Sequence, residues 1–154
     1  MPPYGRPMLT TTDSKAVVER YLAGAQSGDM EALRAIFAED ATWRLAGDLP
    51  ISGTWQGRKA ILDDFLALAL RYYEPGSVRL EVTNILAEGD QVVVEWTSRA
   101  RNRAGEPYEN FCIGVFTVRD GQIHAVREYM DTLYAHEIAF SRRSVTKPAS
   151  RTSN

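Results

Sequence analysis

The sequence predicts an α+β domain in which N-terminal helices pack on one face of a curved, mostly antiparallel sheet. Three observations predict it. Apolar residues recur at helical spacing through the first half of the chain; from about residue 77 they alternate with polar ones; and the alternating runs are separated by turn signals such as Glu88-Gly89-Asp90. Helices first and long strands afterwards is the order of an α+β domain, with the helices segregated to one side of the sheet.

Each element can be justified in turn. Val17, Val18, Tyr21, Leu22 and Ala25 mark a helix from Thr12 to Ala25, with Thr12 or Asp13 as its cap. The stretch SGD (27–29) breaks it, and Asp29 caps a second helix that buries Ala32, Leu33, Ile36 and Phe37. AEDATWRL (38–45) then turns into a strand. A third helix starts near Gly57, places Ile61, Phe65, Leu68 and Tyr72 on one stripe, and ends at Pro75-Gly76. SVRLEVTNILAEG, DQVVVEWTSRARN, PYENFCIGVFTV and IHAVREYMD read as strands, the last two joined by RDGQ (119–122), and TLYAHEIAF as a short closing helix. In the second of these strands Val94, Trp96, Ser98 and Ala100 share the face toward the helices. Glu95, Thr97, Arg99 and Arg101 share the outer face, which is either solvated or a dimer contact.

Composition bounds the function. The chain has 154 residues, of which 44% are hydrophobic and 25% charged, the balance of one water-soluble domain. A net charge of −2 gives no footprint for nucleic acid. A single cysteine, Cys112, excludes a disulfide framework and a thiolate metal cluster, and the two histidines lack metal-site spacing. No phosphate-cradling glycine loop points to a nucleotide or flavin. No apolar run is of membrane-spanning length, and MPPYGRPMLTTTD lacks the apolar core of a signal peptide, so the expected location is the cytoplasm. Residues 1–12 are expected to be a flexible segment, 13–141 the domain, and 142–154 a mobile tail. That tail holds Arg142, Arg143, Lys147 and Arg151 and no acid; it carries +4, which leaves −6 on the rest (−2 minus +4).

Three stretches carry a family resemblance: VVERYLAGAQSGDMEALRAIFAEDATW, GRKAI and GVFTVRDGQIHAVREYMDT. Over about residues 13 to 140 the chain resembles the SnoaL-like group of the nuclear transport factor 2-like superfamily, which includes polyketide cyclases, limonene epoxide hydrolases and ketosteroid-isomerase relatives. The resemblance implies a cone: a curved sheet wrapped around the helices, with a deep pocket at the open end. It does not settle the activity, because the same cone hosts enzymes and binders. The helix tyrosine of the ketosteroid isomerases matches Tyr21, but their aspartate base falls near Leu45 and their oxyanion-hole aspartate near Gly114. The terminal aspartate of the epoxide-hydrolase stretch matches Asp131 in REYMD, whereas its charged partners fall near Trp96 and Ser98. The SnoaL-type cyclases match best at Asp131, which the resemblance makes the acid/base of an intramolecular aldol closure.

The reading that follows is a cofactor-independent enzyme of cyclase, isomerase or hydrolase type, acting on a hydrophobic polyketide- or terpenoid-like molecule. Asp131 would shuttle a proton, with Tyr21 as the second catalytic group, and Trp43, Leu45, Trp55, Trp96, Ser98 and Tyr129 would contact the substrate. No cofactor, metal, nucleic acid or membrane is called for, and a homodimer through the outer sheet face is expected. Two alternatives stay open at single residues. Asp131 is equally a favoured N-cap for TLYAHEI, and Tyr21 equally a core tyrosine with a satisfied hydroxyl. Arg127 and Glu128 read as structural, since adjacent strand residues face opposite sides. A second overall reading is a non-catalytic binder or dimer scaffold on the same fold.

Overall fold

The structure, a computed structural model, describes residues 10–141. The first helix, α1 (Thr11–Ser27), opens with a capping box: the Thr10 hydroxyl accepts from the Asp13 amide at 3.2 Å while the Asp13 carboxylate accepts from the Thr10 amide at 3.3 Å. Helix α1 therefore takes in Thr11 and Thr12 of the segment 1–12, whose first nine residues lie outside the described ones. The proposed basic tail, 142–154, lies outside the described residues. Gly28, with φ at +70°, closes α1, and Asp29 caps the short α2 (Met30–Ile36) by accepting from the Ala32 amide at 3.0 Å.

The chain then enters the sheet with β1 (Phe37–Leu45) and returns through β2 (Gly53–Gln56). The strand β2 is absent from the elements that the sequence predicts, which pass from the 38–45 strand to the helix near Gly57. The third helix starts at residues 58–59, just after Gly57 as expected, passes through a π-helical turn (Ala60–Phe65) and continues as α3 (Leu66–Leu70). Four long strands follow: β3 (Arg79–Glu88), β4 (Gln91–Arg101), β5 (Pro107–Arg119) and β6 (Gln122–Met130). A short α4 (Thr132–Ala135) runs into a second π-helical turn, His136–Phe140.

The six strands form one sheet in the order β2-β1-β6-β5-β4-β3. All neighbours are antiparallel except β1 and β6, which run parallel and bring Leu45 beside Glu128. Register shifts between Val82 and Asn84, between Thr117 and Val118, and between Phe37 and Thr42 mark irregularities that bend the sheet. Burial alternates along β5: Tyr108, Asn110, Cys112, Gly114, Phe116 and Val118 are buried toward the helices. On the opposite face Arg99 bridges Glu81 and Glu109, and Phe111 is exposed. The core between helices and sheet is apolar, with Val18, Phe37, Ile61, Leu62, Phe116 and Ile123 fully enclosed.

One inward position lacks a side chain for a steric reason. A Cβ on Gly114 would lie 2.9 Å from Cε2 of Phe116 and 3.1 Å from Cζ3 of Trp96. The two rings thus fill the space over Gly114, which is paired with Glu128 on β6. Gly114→Ala is expected to lower stability by about 1–3 kcal/mol through overpacking, read as a fall in the urea midpoint at unchanged slope. An unchanged midpoint would mean that the rings yield without strain.

Candidate functional site

A cavity of about 270 Å³ opens between the helices and the inner face of the sheet. Its volume is near the lower end for small-molecule sites. Tyr21, Leu22 and Ala25 of α1, Phe65, Leu66 and Ala69 of the third helix, and Trp43, Trp96, Phe116 and Met130 of the sheet make its walls largely apolar. Met30 and Leu70 line it as well and are 42% and 56% exposed. The cavity therefore reaches the surface between the start of α2 and the end of α3, at an apolar rim.

Glu128 is the carboxylate in this wall. It follows Val126 and precedes Met130 on the inward face of β6 and is only 8% exposed. Its Oε2 accepts a hydrogen bond from the indole Nε1 of Trp43 at 2.9 Å. That indole is held by Phe65, with ring centroids 5.4 Å apart, and by Tyr21 and Phe37, each at 6.2 Å. No salt bridge to Glu128 forms among the described residues. Burial pushes its carboxyl up from an ordinary 4.5 to about 7, and the neutral indole donor offsets only part of that rise. A carboxyl poised near neutrality can both take and return a proton.

Phenols and a thiol complete the polar lining. Tyr21 faces the cavity, and its hydroxyl is held above its usual range first by burial and then by the Glu128 charge. The same two causes raise the Cys112 thiol to about 12, so it stays protonated at neutral pH rather than serving as a ready nucleophile. Tyr73 and Tyr108 pack at 5.1 Å between ring centroids, and Asn110 Nδ2 donates to the Tyr108 hydroxyl at 2.9 Å. Ser98, opposite Asn110 in the β4–β5 ladder, is the remaining small polar wall residue.

The structure brings together Tyr21, Trp43, Trp96 and Ser98 from the residues expected at the site. It places the others elsewhere. Asp131 is exposed and N-caps α4, its Oδ1 accepting from the Tyr134 amide at 3.0 Å. Its strand parity follows Arg127 and Tyr129, which point outward. Tyr129 itself is 44% exposed on the outer face, and Leu45 is buried in the core beside Glu128 without lining the cavity. Trp55 packs on Phe65 at 5.5 Å and donates to the Ile51 carbonyl at 3.0 Å, also outside the cavity wall. Glu128, read as structural from the sequence, takes the position given to Asp131. The signal was present in the alternation of Val126, Glu128 and Met130, the first and last of which are apolar.

Two outcomes follow from this geometry. Glu128 holds its proton up to about pH 7 in the folded chain but only to 4.5 when unfolded. Between those values the folded state binds more protons, so this group's contribution is full below pH 4.5 and is lost as pH rises through 7. The stability of Glu128→Gln relative to the parent should therefore increase by up to about 3 kcal/mol from pH 4.5 to pH 8 in paired urea melts; a constant difference would contradict it. At Asp131, Asn should preserve the cap, whereas Ala should cost about 1 kcal/mol. Thermal melts of the two variants would show it, and an equal loss in both would point to a role beyond capping.

Comparison with known proteins agrees with this architecture. A search of curated protein sequences finds no match. Among solved structures, Bal32a from a soil-derived mobile gene cassette superposes with a TM-score of 0.74 at 28% identity, covering 85% of this chain and 98% of its own. An NTF2-like protein from Burkholderia xenovorans LB400 gives a TM-score of 0.72 at 26% identity, covering 86% of this chain and 98% of its own. TerC, co-crystallised with polyporic acid, gives 0.75 at 25% identity, covering 84% and 99%. The family model for the SnoaL-like domain matches residues 18–126, and the chain accordingly belongs to the SnoaL-like family on an NTF2-like fold.

Proposed function

We propose that this chain is a cofactor-independent acid/base catalyst for a small, largely apolar carbonyl compound, with Glu128 as the proton carrier. The observation that carries the reading is a buried carboxyl in an apolar cavity, held by one neutral indole donor and titrating near neutrality. In its ionised form Glu128 removes a proton from carbon next to the substrate carbonyl, and the electron pair moves onto oxygen. A phenol wall residue, Tyr21, hydrogen-bonds that oxygen as charge develops. Glu128, now protonated, returns the proton to carbon at the same or another position. This step begins both aldol-type ring closure and double-bond migration, the chemistry of cyclases and isomerases. Trp43 holds the carboxyl group in place, and the Trp96 ring and the helix side chains exclude water from it. The co-crystallisation of TerC with polyporic acid supports a small organic ligand for the cavity.

The reading is tested with 2-acetonaphthone, a two-ring apolar ketone, in deuterium oxide. Protein-catalysed exchange of its methyl protons, followed by proton NMR, should rise with pH as Glu128 ionises through about 7. Glu128→Gln should slow it by roughly 100-fold or more, the scale of general-base catalysis. Asp131→Asn should leave it unchanged. Exchange that survives loss of the Glu128 carboxyl, or that fails with Asp131→Asn, would reject the assignment.

A further inference from the structure

Behind the cavity wall stands a second polar group that the acid/base reading does not use. Asn110 and Asp131 form a closed pair of hydrogen bonds: the Asp131 amide donates to Asn110 Oδ1 at 3.2 Å, and Asn110 Nδ2 donates to the Asp131 carbonyl at 2.9 Å. The backbone thus fixes which end of the side-chain amide is which. With Oδ1 committed to the Asp131 amide, the group that meets the Tyr108 hydroxyl at 2.9 Å is the Nδ2 donor. Tyr108 therefore accepts from Asn110 and cannot give its proton to it.

A count of protons follows. Tyr73 and Tyr108 are neighbours, with ring centroids 5.1 Å apart, and both line the cavity. They carry two phenolic protons, of which at most one can be used between them. Asn110 takes neither. At least one phenolic proton is then left for the cavity, and the Tyr108 oxygen, which receives the Asn110 N–H, carries the better donor O–H for it. Asn110 and Gly114, the partner of Glu128, are four positions apart on the same face of β5, about 13 Å along the strand. The phenol pair and the carboxyl therefore stand along one wall of one apolar cavity.

We propose that Tyr73 and Tyr108, the latter positioned by Asn110, form a neutral hydrogen-bond-donor site for a carbonyl or enolate oxygen, so that the cavity selects apolar ligands carrying that oxygen over hydrocarbons of the same shape. The proposal rests on the reading of the cavity as a ligand site, but not on Glu128 as the base. Asn110 and the Asp131 backbone are positioning groups; the phenol touches the ligand.

The test uses 2-acetonaphthone labelled with carbon-13 at the carbonyl, and 2-isopropylnaphthalene as its hydrocarbon isostere. In Tyr21→Phe protein, which lacks the phenol that serves the acid/base step, the bound ketone should show a carbonyl stretch at lower wavenumber than in hexane, and should bind at least tenfold more tightly than the hydrocarbon. Adding Tyr73→Phe and Tyr108→Phe should return the band to its hexane position and bring the two affinities within about twofold, with hydrocarbon binding retained. If that triple variant does not fold, Tyr21→Phe protein with its other tyrosines replaced by 3-fluorotyrosine gives the second measurement. More acidic phenols should move the band further down. A hexane-like band in Tyr21→Phe protein, failure of the ketone to outbind the hydrocarbon there, a shift that survives the triple variant, or a band indifferent to fluorination would each overturn the proposal. Glu128→Gln separates the two readings: it stops methyl exchange while leaving the carbonyl shift in place.

Discussion

A buried carboxyl without a cation is the constraint around which this cavity is built. Taking a carboxylate out of water is costly, and a protein offsets the cost by pairing the charge, hydrating it, or letting the group keep its proton. Here the first solution is absent among the described residues: Glu128 meets the Trp43 indole, the backbone of Gly114 across the strand pair, and apolar rings. The proton is therefore held loosely near neutrality. The same burial raises the neighbouring phenols and thiol, so they stay neutral near pH 7 and Glu128 alone is poised to change charge.

The geometry depends on sheet register more than on any single contact. Parallel pairing of β1 with β6 puts Leu45 against Glu128 and Trp43 against Val126, within reach of the carboxyl from the neighbouring strand. Gly114 leaves the opposite side clear, and Trp96 from β4 spreads over it. A one-residue slip of β6 would turn Glu128 outward and Arg127 or Tyr129 inward. Asp131 serves this register in another way. Its side chain starts α4, and its backbone locks Asn110, which orients Tyr108. The residue that the family resemblance points to thus supports the site through the main chain.

Most of the fold was legible in the sequence because its signals are local. Asp29 caps a helix as its position before an apolar run suggests, and Glu88-Gly89-Asp90 turns one strand into the next. The inward row of β4 followed directly from alternation. The short strand GTWQ escaped because four residues carry too little period, and its pairing with Thr42 to Leu45 is decided by tertiary contact. The site was legible only in part. Tyr21, Trp96 and Ser98 follow from periodicity and Trp43 from its large aromatic side chain, and all four reach the cavity. Asp131 drew attention through resemblance, although its parity is that of Arg127, an outward residue. Glu128 was set aside as one of two adjacent charges, and only the flanking Val126 and Met130 indicated which of the two turns inward. Tyr73, Tyr108 and Asn110 come from separate segments, and nothing local in the chain announces that they meet.

The central claim is that Glu128 is a buried, unpaired carboxyl that exchanges its proton near neutral pH. Carboxyl-carbon NMR titration of the protein, with Glu128→Gln to assign the resonance, measures this directly. The account predicts a midpoint for Glu128 of about 7. A midpoint at or below the ordinary glutamate value near 4.5 would mean that the group is hydrated or paired in solution, and the cavity would lose its proton carrier.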